Sequence, residues 1–465
     1  MAIRELDGPN LYWFNPLCDL AAGRGLFEPR MAVRALGDDL AIVPALLAAA
    51  DDIVVVAERP GAPFLQMLQA AGLCVPEFIV WDPLIGGLPG GLPGGLPGGL
   101  PGELAARKLN DLRPWGWAPD SVAALTGLAG QLPDGAADPS KRWHEARRQL
   151  YAKTWSAAWL AEIIGDLKAT EGDWICGVEV VGTSCDTELD ATQALTAGFA
   201  AGWTKAVIKA AFGAAGGQQM ILPAADLAPY QQHWLRRILR EAGRVVIEPW
   251  LDRQLDLSAQ YEVDDSGSLR LLGVTRFLTD VRGRFQGVFV HNMAGDLTEE
   301  LKRFLHGDDG DDQHLMRLFA RIGASLQARL PADFRGPLGI DAFIFRDAAD
   351  GELRLKPIVE VNPRFTMGRV ALALARRVVA TRTAIWRVVR SKDVIATGHR
   401  DIASWASSLR QQMPLEMTPD GRQISRGVVF TNEPERARSF VSLLVVGDDL
   451  AAIDAVTPHL EGLTC

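Results

Sequence analysis

The stretch GELRLKPIVEVNPRFTMGR, residues 351–369, has the apolar character of a buried strand but carries Glu360, Asn362 and Arg364 at alternate positions. Successive residues of a β-strand point to opposite faces of the sheet. The spacing therefore predicts that Glu360 and Asn362 share one face, while the valines on either side of Glu360 share the other. A carboxylate and a carboxamide on one face of an apolar strand indicate a site rather than packing alone.

The preceding segment predicts the partner strand of a hairpin. The strand LGIDAFIFRD, residues 338–347, is joined to the first strand by the polar turn AADG, residues 348–351. Opposed residues in such a pair have Cβ atoms about 5 Å apart. Oxygen ligands from Asp341, Glu360 and Asn362 would then converge, as Mg²⁺ requires. The alternative is a solvated sheet face with incidental acids, which the apolar surroundings of both acids disfavour.

The segments GPLGIDAFIF and LRLKPIVEVNPRFTMG resemble the C-terminal half of an ATP-grasp domain, the family of biotin carboxylase, D-alanine:D-alanine ligase and glutathione synthetase. The resemblance implies that Asp341, Glu360 and Asn362 bind Mg²⁺ together with ATP, with Mn²⁺ as an alternative cation. Arg364 follows the Asn-Pro pair as in the biotin carboxylase form of the motif. Its implied role is to stabilise negative charge on the phosphate or on a tetrahedral intermediate.

The resemblance also implies a lysine and a glycine-rich loop more than a hundred residues upstream. The segment AVIKAAFGAAGGQQM, residues 206–220, places Lys209 on a predicted strand, and Gly213, Gly216 and Gly217 follow it. Glycines let backbone N–H groups approach phosphate oxygens, and a strand lysine adds a point charge. Taken alone the segment is more typical of an ordinary hairpin turn. With the resemblance, Lys209 joins Arg364 as a predicted catalytic residue.

The segment RVVIEPWLDRQLDLSAQYEV, residues 244–263, matches the hinge between the two lobes of the family. The resemblance implies that the backbone around Glu248 and Trp250 binds the adenine and that Asp256 binds the ribose. Asp256 lies one residue farther from Trp250 than in D-alanine:D-alanine ligase. For Trp250 an ordinary core position is the alternative.

The family has a further cation near the start of a helix. Lys153 is the predicted nucleotide ligand there, and Lys141 is the second candidate; a solvated helix lysine is the alternative for both. The region that usually faces the acceptor substrate contains four further candidates for binding a carboxylate: Arg276, Arg284, His291 and Asn292.

Residues 1–85 alternate short strands with helices, which predicts βαβ units and a small Rossmann-like α/β sheet. Asn15 and Asp19 follow its first predicted strand, where such sheets bind ligands, so this unit is the predicted platform for a second substrate. The GGLP repeat, residues 86–102, is too rich in Gly and Pro for a helix or a ladder and is predicted to be a mobile surface insertion.

We therefore predict the α/β class with an α+β ATP-grasp core. An N-terminal pre-ATP-grasp domain spans residues 1–139 and the ATP-grasp domain spans 140–375. The latter divides into a nucleotide lobe, about 140–250, and a metal-binding lobe, about 251–375. Residues 376–465 form an extension of unknown role.

Helical spacing predicts three further helices. They lie at residues 44–50, PALLAAA; at 140–166, with Ser140 as the cap; and at 370–389, VALALARRVVATRTAIWRVV.

Composition limits the classes of function. The 465 residues carry a net charge of −9, without the basic stripe of a nucleic-acid-binding protein. Five dispersed cysteines argue against a disulfide framework or a zinc site. The charged N-terminus and the broken apolar runs predict a cytoplasmic protein with no signal peptide and no membrane contact.

The predicted function is ATP-dependent, Mg²⁺-requiring ligation of a small-molecule carboxylate, activated as an acyl phosphate, to an amine. A homodimer is possible on family grounds. Two alternatives stay open: an ATP-grasp small-molecule kinase, and a catalytically silent nucleotide-binding protein. A dinucleotide-dependent oxidoreductase is disfavoured because no GxGxxG follows a strand in the first domain.

Overall fold

The computed structural model describes residues 8–27, 31–81, 101–213, 218–280, 283–307, 310 and 313–458. The strands are β1 (Asn10–Trp13), β2 (Ile53–Val56), β3 (Glu77–Val80), β4 (Asp111–Pro114), β5 (Thr183–Cys185), β6 (Ala206–Ala210), β7 (Gln219–Leu222), β8 (Val245–Pro249), β9 (Asp252–Val263), β10 (Leu269–Thr279), β11 (Phe285–His291), β12 (Gly336–Arg346), β13 (Leu353–Asn362), β14 (Thr383–Arg390), β15 (Glu416–Met417), β16 (Ile424–Phe430) and β17 (Phe440–Gly447). The helices are α1 (Cys18–Arg24), α2 (Met31–Asp39), α3 (Ala62–Ala70), α4 (Gly102–Ala105), α5 (Pro119–Leu125), α6 (Glu145–Leu150), α7 (Lys153–Glu171), α8 (Glu188–Ala200), α9 (Pro229–Ala242), α10 (Glu299–His306), α11 (His314–Gln327), α12 (Met367–Ala375), α13 (Ser391–Ala396), α14 (Ile402–Gln412) and α15 (Leu450–Asp454).

The first sheet is the parallel N-terminal sheet that the βαβ rhythm predicts, with the strand order β3-β2-β1-β4. All four residues of β2 are buried, as expected for a strand covered on both faces. Residues from this sheet and from the large sheet described next, such as Val54 and Trp386, share one hydrophobic core. The N-terminal unit is therefore packed against the rest of the protein.

The large sheet is antiparallel and has the order β13-β12-β9-β10-β11-β14-β17-β16-β15. Helix α11 packs against it; Tyr261 of β9 donates its hydroxyl to the carbonyl of Phe319 in α11 at 2.7 Å. A second hydrophobic core lies between the large sheet and the helices α7, α10 and α11. The sheet thus presents one face to α7, α10 and α11, and its polar residues Ser258, Thr275 and Asp341 lie side by side in register.

The small antiparallel sheet has the order β5-β8-β6-β7 and packs its apolar face on α8 and α9. The two antiparallel sheets and the parallel N-terminal sheet together confirm the predicted α/β class and its two-lobed arrangement.

Two of the helix predictions were wrong in the first half of the chain. Residues 44–50 do not form an α-helix; a short 3₁₀ helix, Val43–Leu46, takes part of this segment, and Pro44 stands at its start. The helix predicted over residues 140–166 is broken into a 3₁₀ turn, α6 and α7. Ser140 is not its cap but bonds to Asp138. The break places Lys153 at the first position of α7.

The helix predicted over residues 370–389 was also wrong in its second half. Helix α12 ends at Ala375, and residues 383–390 form β14, which pairs with β17 along its whole length and with β11 over residues 384–387. Long-range pairing overrides a local helical pattern here, helped by β-branched residues. The segment after residue 375, whose role the sequence leaves open, therefore completes the large sheet.

All but the last two residues of the GGLP repeat lie outside the described residues. Within the described part of the chain, no helix is long and apolar enough to cross a membrane.

Candidate active site

The β12–β13 hairpin brings the predicted metal ligands together. Asp341 and Glu360 are direct cross-strand partners. The amide of Asn362 donates to Asp341 Oδ2 at 3.1 Å, and the Ser258 hydroxyl donates to Asp341 Oδ1 at 2.6 Å. Asp341 is therefore held in one orientation from two sides, facing the carboxylate across the hairpin.

The electrostatics of this pair favour a bound cation. Burial, followed by the charge of Glu360, raises the pKa of Asp341. Burial also acts to raise the pKa of Glu360, but the charge of Lys153 and its hydrogen bond outweigh it, so this pKa is lowered. Two partly buried carboxylates and a carboxamide are hard oxygen donors, which fit Mg²⁺. Within the described residues, no group of three His, Cys, Asp or Glu side chains is placed to hold a metal ion.

Lys153 connects the hairpin to the loop after β6. Its ammonium contacts the Glu360 carboxylate and donates to the carbonyl of Gly213 at 3.0 Å. Its backbone N–H donates to the carbonyl of Ala211 at 2.8 Å, which anchors the start of α7 on the same loop. Lys141, the second candidate, is exposed in a 3₁₀ turn and does not line the cavity described below.

A second group of charged side chains surrounds Glu248 of β8, in the small antiparallel sheet. The Glu248 carboxylate is bonded by Lys209 and by Lys356, the latter at 2.7 Å. Burial opposes the charge of Glu248, but the two lysines lower its pKa to about 2. Burial lowers the pKa of Lys209, and Glu248 only partly compensates. The Glu248 side chain is therefore committed to lysines, which leaves only its backbone for the predicted adenine contact.

Arg364 closes the site on the side of the N-terminal unit. Its Nε donates to both carboxylate oxygens of Asp19 at 2.9 and 3.0 Å, and one terminal nitrogen donates to Asn362 Oδ1 at 2.8 Å. Burial acts to lower the pKa of Arg364, but Asp19 raises it above its ordinary value. The arginine is thus a permanent cation joined to the ligand hairpin through Asn362.

A cavity of about 700 Å³ gathers most of the predicted residues. Those on its wall are Lys153, Lys209, Gly213, Asp341, Glu360, Asn362 and Arg364. Gly216 and Gly217, also predicted nucleotide contacts, lie outside the described residues.

A larger cleft of about 1560 Å³ is lined by two further predicted nucleotide contacts, Trp250 and Asp256, whereas the predicted contact Glu248 lines neither space. Both spaces share wall residues, among them Arg253 and Thr279. The N–H of Trp250 donates to the carbonyl of Lys205 at 2.9 Å, so this donor is already engaged. Asp256 contacts Arg253 and accepts from the Thr279 hydroxyl at 2.8 Å.

The four residues predicted for the acceptor region separate in the structure. Arg284 lines the cavity and bonds to Asp280. Arg276 faces the larger cleft but is held by Asp296 through two hydrogen bonds of 2.6 and 2.9 Å.

The other two acceptor candidates have packing contacts instead. His291 bonds to the carbonyl of Ala375, and Asn292 donates to the Thr383 hydroxyl. Neither is on the wall of the cavity or of the cleft. Asn15, on the proposed platform, donates to the carbonyl of Gly116 and to Asp120.

Two residues that bond to predicted site residues were not predicted themselves: Lys356, which bonds to Glu248, and Ser258, which bonds to Asp341. Lys356 stands four positions before Glu360 on β13, and the β12–β13 register shifts between the two. A lysine inside an apolar strand was the signal that could have found it. Ser258 carries no such signal, because its proximity to Asp341 depends on the pairing of β9 with β12.

Comparison with known proteins is limited to solved structures, since no family model and no curated protein matches this chain. An N5-carboxyaminoimidazole synthetase from Staphylococcus aureus, complexed with ADP, is 11% identical; the match covers 96% of this chain and 95% of that one, with a TM-score of 0.47. A biotin carboxylase from Campylobacter jejuni, complexed with β,γ-ATP, is 12% identical over 96% and 89% of the two chains, with a TM-score of 0.46.

A D-alanyl-alanine synthetase A from Vibrio cholerae is 14% identical over 57% of this chain and 71% of that one, with a TM-score of 0.34. At such identities and TM-scores the similarity says nothing about function. Function is therefore inferred from the residues of the site.

Proposed function

We propose that this chain is an ATP-grasp protein, an ATP-dependent, Mg²⁺-requiring ligase that joins a small-molecule carboxylate to an amine. The observation that carries the proposal is the direct opposition of Asp341 and Glu360 on one hairpin, with Lys153 on Glu360 and Lys209 on the wall of the same cavity. Oxygen ligands for a divalent cation next to lysines for phosphates match the chemistry of a bound nucleoside triphosphate with its metal.

Each cation of the site contacts a carboxylate: Lys153 with Glu360, Lys209 and Lys356 with Glu248, and Arg364 with Asp19. A phosphate chain that took over lysine ammonium groups, while a divalent cation took over Asp341 and Glu360, would leave neither the lysines nor the carboxylates unpaired. Binding both together is therefore far less costly than binding either alone.

The site suits activation of a carboxylate by phosphoryl transfer. Mg²⁺ held by Asp341, Glu360 and Asn362 would neutralise charge on the phosphates. Lys153 and Lys209 would orient the phosphate oxygens, and the fixed guanidinium of Arg364 would stabilise the oxyanion that develops as the acyl phosphate is attacked by the amine. Positioning and charge carry such a reaction, so no covalent nucleophile is required.

Two features support small-molecule substrates. The cavity has the volume of an ordinary small-molecule site, and its wall also contains Arg284 and Arg390. The N-terminal unit borders it through Trp115 and Pro16, which supports its role as a platform for the second substrate.

The test is an assay of ADP release with Mg²⁺ and ATP against pooled amino acids and small carboxylates, with mass spectrometry of the products. ADP together with a condensed product is the expected result. ADP with a phosphorylated product would replace the ligase by a kinase. ATP binding without ADP release in any mixture would favour a catalytically silent nucleotide-binding protein.

A further inference from the structure

Lys356 is a buried cation whose contacts connect it to the proposed nucleotide site. Its ammonium donates to Glu248 Oε2 at 2.7 Å and to the carbonyl of Val180 at 2.8 Å. The ring of Phe343 lies 6.0 Å from its nitrogen, and the side chain is only 2% exposed. Two acceptors and an aromatic ring surround this ammonium, so Lys356 is fixed in place.

Lys209 reaches the same carboxylate from the other side. Its ammonium bonds to Glu248 Oε1, its side chain is 13% exposed, and it lines the cavity, whereas Lys356 does not. Glu248 therefore has one lysine inside the protein and one lysine at the cavity wall.

This arrangement determines what happens when an anion enters the cavity. Two lysines and one carboxylate carry one net positive charge. If Lys209 turned towards an anion, Glu248 would keep a buried counter-ion in Lys356 and would not be left as an unpaired buried charge. If Glu248 had Lys209 alone, the anion would have to compete with the carboxylate for it.

We propose that Lys356 is the permanent counter-ion of Glu248 and thereby leaves Lys209 available to bind a phosphate group of a nucleoside triphosphate. The inference rests on the proposed function, since it takes the anion to be a nucleotide phosphate. Lys356 is a positioning residue: it acts on Lys209 through Glu248 and does not touch the nucleotide.

The test measures binding of ATP and of adenosine by calorimetry to the full chain. Lys356→Met is expected to raise the Kd for ATP by at least about tenfold and to leave the Kd for adenosine unchanged, because adenosine has no phosphate. The double variant Glu248→Gln with Lys356→Met is expected to recover most of the ATP affinity, since no carboxylate then holds Lys209. Lys168→Met, at an exposed lysine paired with Asp173, is the matched control.

The outcomes separate a positioning role from a merely structural one. If Lys356 only stabilised the fold, the double variant would bind ATP no better than Lys356→Met, and adenosine affinity would fall with ATP affinity; either result overturns the inference. Unchanged ATP affinity in Lys356→Met overturns it too, while leaving the proposed function intact. A wild-type chain that binds no ATP overturns both.

Glu248→Gln alone keeps the inference testable if Lys356→Met does not fold, as judged by circular dichroism. Glutamine cannot hold Lys209 by charge, so this variant is expected to bind ATP at least as tightly as the wild type. A loss of about tenfold or more would contradict the role given to Lys356.

Discussion

Asp19 and Arg364 form a buried ion pair across 345 positions of the chain, with the Arg364 Nε 2.9 and 3.0 Å from the two carboxylate oxygens. Asp19 lies in the first turn of α1 in the N-terminal unit, and Arg364 follows the ligand strand β13. The backbones also meet nearby, where the N–H of Phe365 donates to the carbonyl of Trp115 at 2.8 Å. The N-terminal unit therefore fixes the orientation of the arginine in the candidate active site.

Replacing Asp19 with Asn is expected to impair both stability and turnover. Arg364 would lose its buried counter-ion, and breaking such a pair costs about 3 kcal/mol or more in the free energy of unfolding. Turnover should fall at least about tenfold, because the guanidinium is no longer held beside Asn362. Urea unfolding and the ADP-release assay measure the two effects. Glu241→Gln, which removes the half-exposed partner of Arg24, serves as the control and should cost less than about 1 kcal/mol.

Replacing Glu360 with Gln is expected to reduce turnover by at least about 100-fold while the protein stays folded. Glutamine keeps the shape and one acceptor oxygen, but it removes a charged ligand of the cation site and the partner of Lys153. ADP release and thermal unfolding are the measurements. The matched control is Glu300→Gln, at an exposed acid paired with Arg346, which should leave turnover unchanged. Full activity in Glu360→Gln would contradict the role proposed for Glu360 as a ligand of the cation.

The stability of the protein should depend on pH through Asp120. Burial raises the pKa of Asp120 to about 6 from its ordinary 3.8, although the hydrogen bond from Asn15 opposes this. An acid whose folded-state pKa is raised favours the fold in its protonated form. That contribution is complete below about pH 4 and is lost as the pH rises through 6, a change of about 3 kcal/mol.

The measurement is urea unfolding of the wild type and of Asp120→Asn between pH 4 and pH 7. The difference in unfolding free energy between the two proteins should shift in favour of the variant as the pH rises. The control is Asp134→Asn, at an exposed acid, whose difference from the wild type should not change with pH. Parallel curves for Asp120→Asn would refute the assignment.

Gly116 is expected to tolerate no side chain. A Cβ there would lie 2.7 Å from Cys18 Sγ, 2.8 Å from the Tyr151 hydroxyl oxygen and 3.0 Å from the Arg364 Cβ. Gly116→Ala should therefore lower the free energy of unfolding by about 1–3 kcal/mol and reduce turnover by displacing Arg364.

The comparison variant is Gly165→Ala, in the middle of α7, where an added Cβ meets nothing within 4 Å. It should stabilise the protein by up to about 1 kcal/mol, because alanine is the better helix former. Chemical unfolding of both variants checks the pair. If Gly116→Ala were as stable as the wild type, the prediction would be wrong, because the neighbouring side chains would then have moved to make room for the methyl group.

Local patterns predict that the two acids of the hairpin lie on facing strands and share one face. Uninterrupted pairing from the turn would set Asp341 opposite Ile358, and a register shift between Asp341 and Phe343 sets it opposite Glu360 instead. Short apolar runs identified β1 and β2 of the parallel sheet, because parallel strands are buried on both faces. Such predictions need only neighbouring residues.

The remaining parts depend on contacts between distant segments. Nothing near Asp19 in the sequence indicates that its partner is Arg364. The residues of β14 have a helical pattern, and only their pairing with β11 and β17 makes them a strand. Lys356 stands out as a lysine in an apolar strand, but its partner Glu248, which lies on another sheet, could not be predicted. Packing between elements decides these pairings, and a local pattern contains no information about it.

The position of β14 in the large sheet has a consequence for synthesis of the chain. Strand β11 ends at His291, but the strand that covers its free edge begins only at Thr383, after the whole ligand hairpin. A nascent or truncated chain that stops before β14 would present an unpaired strand edge, which promotes association with other chains. Fragments that end near residue 375 are therefore expected to aggregate, although they contain every proposed metal ligand.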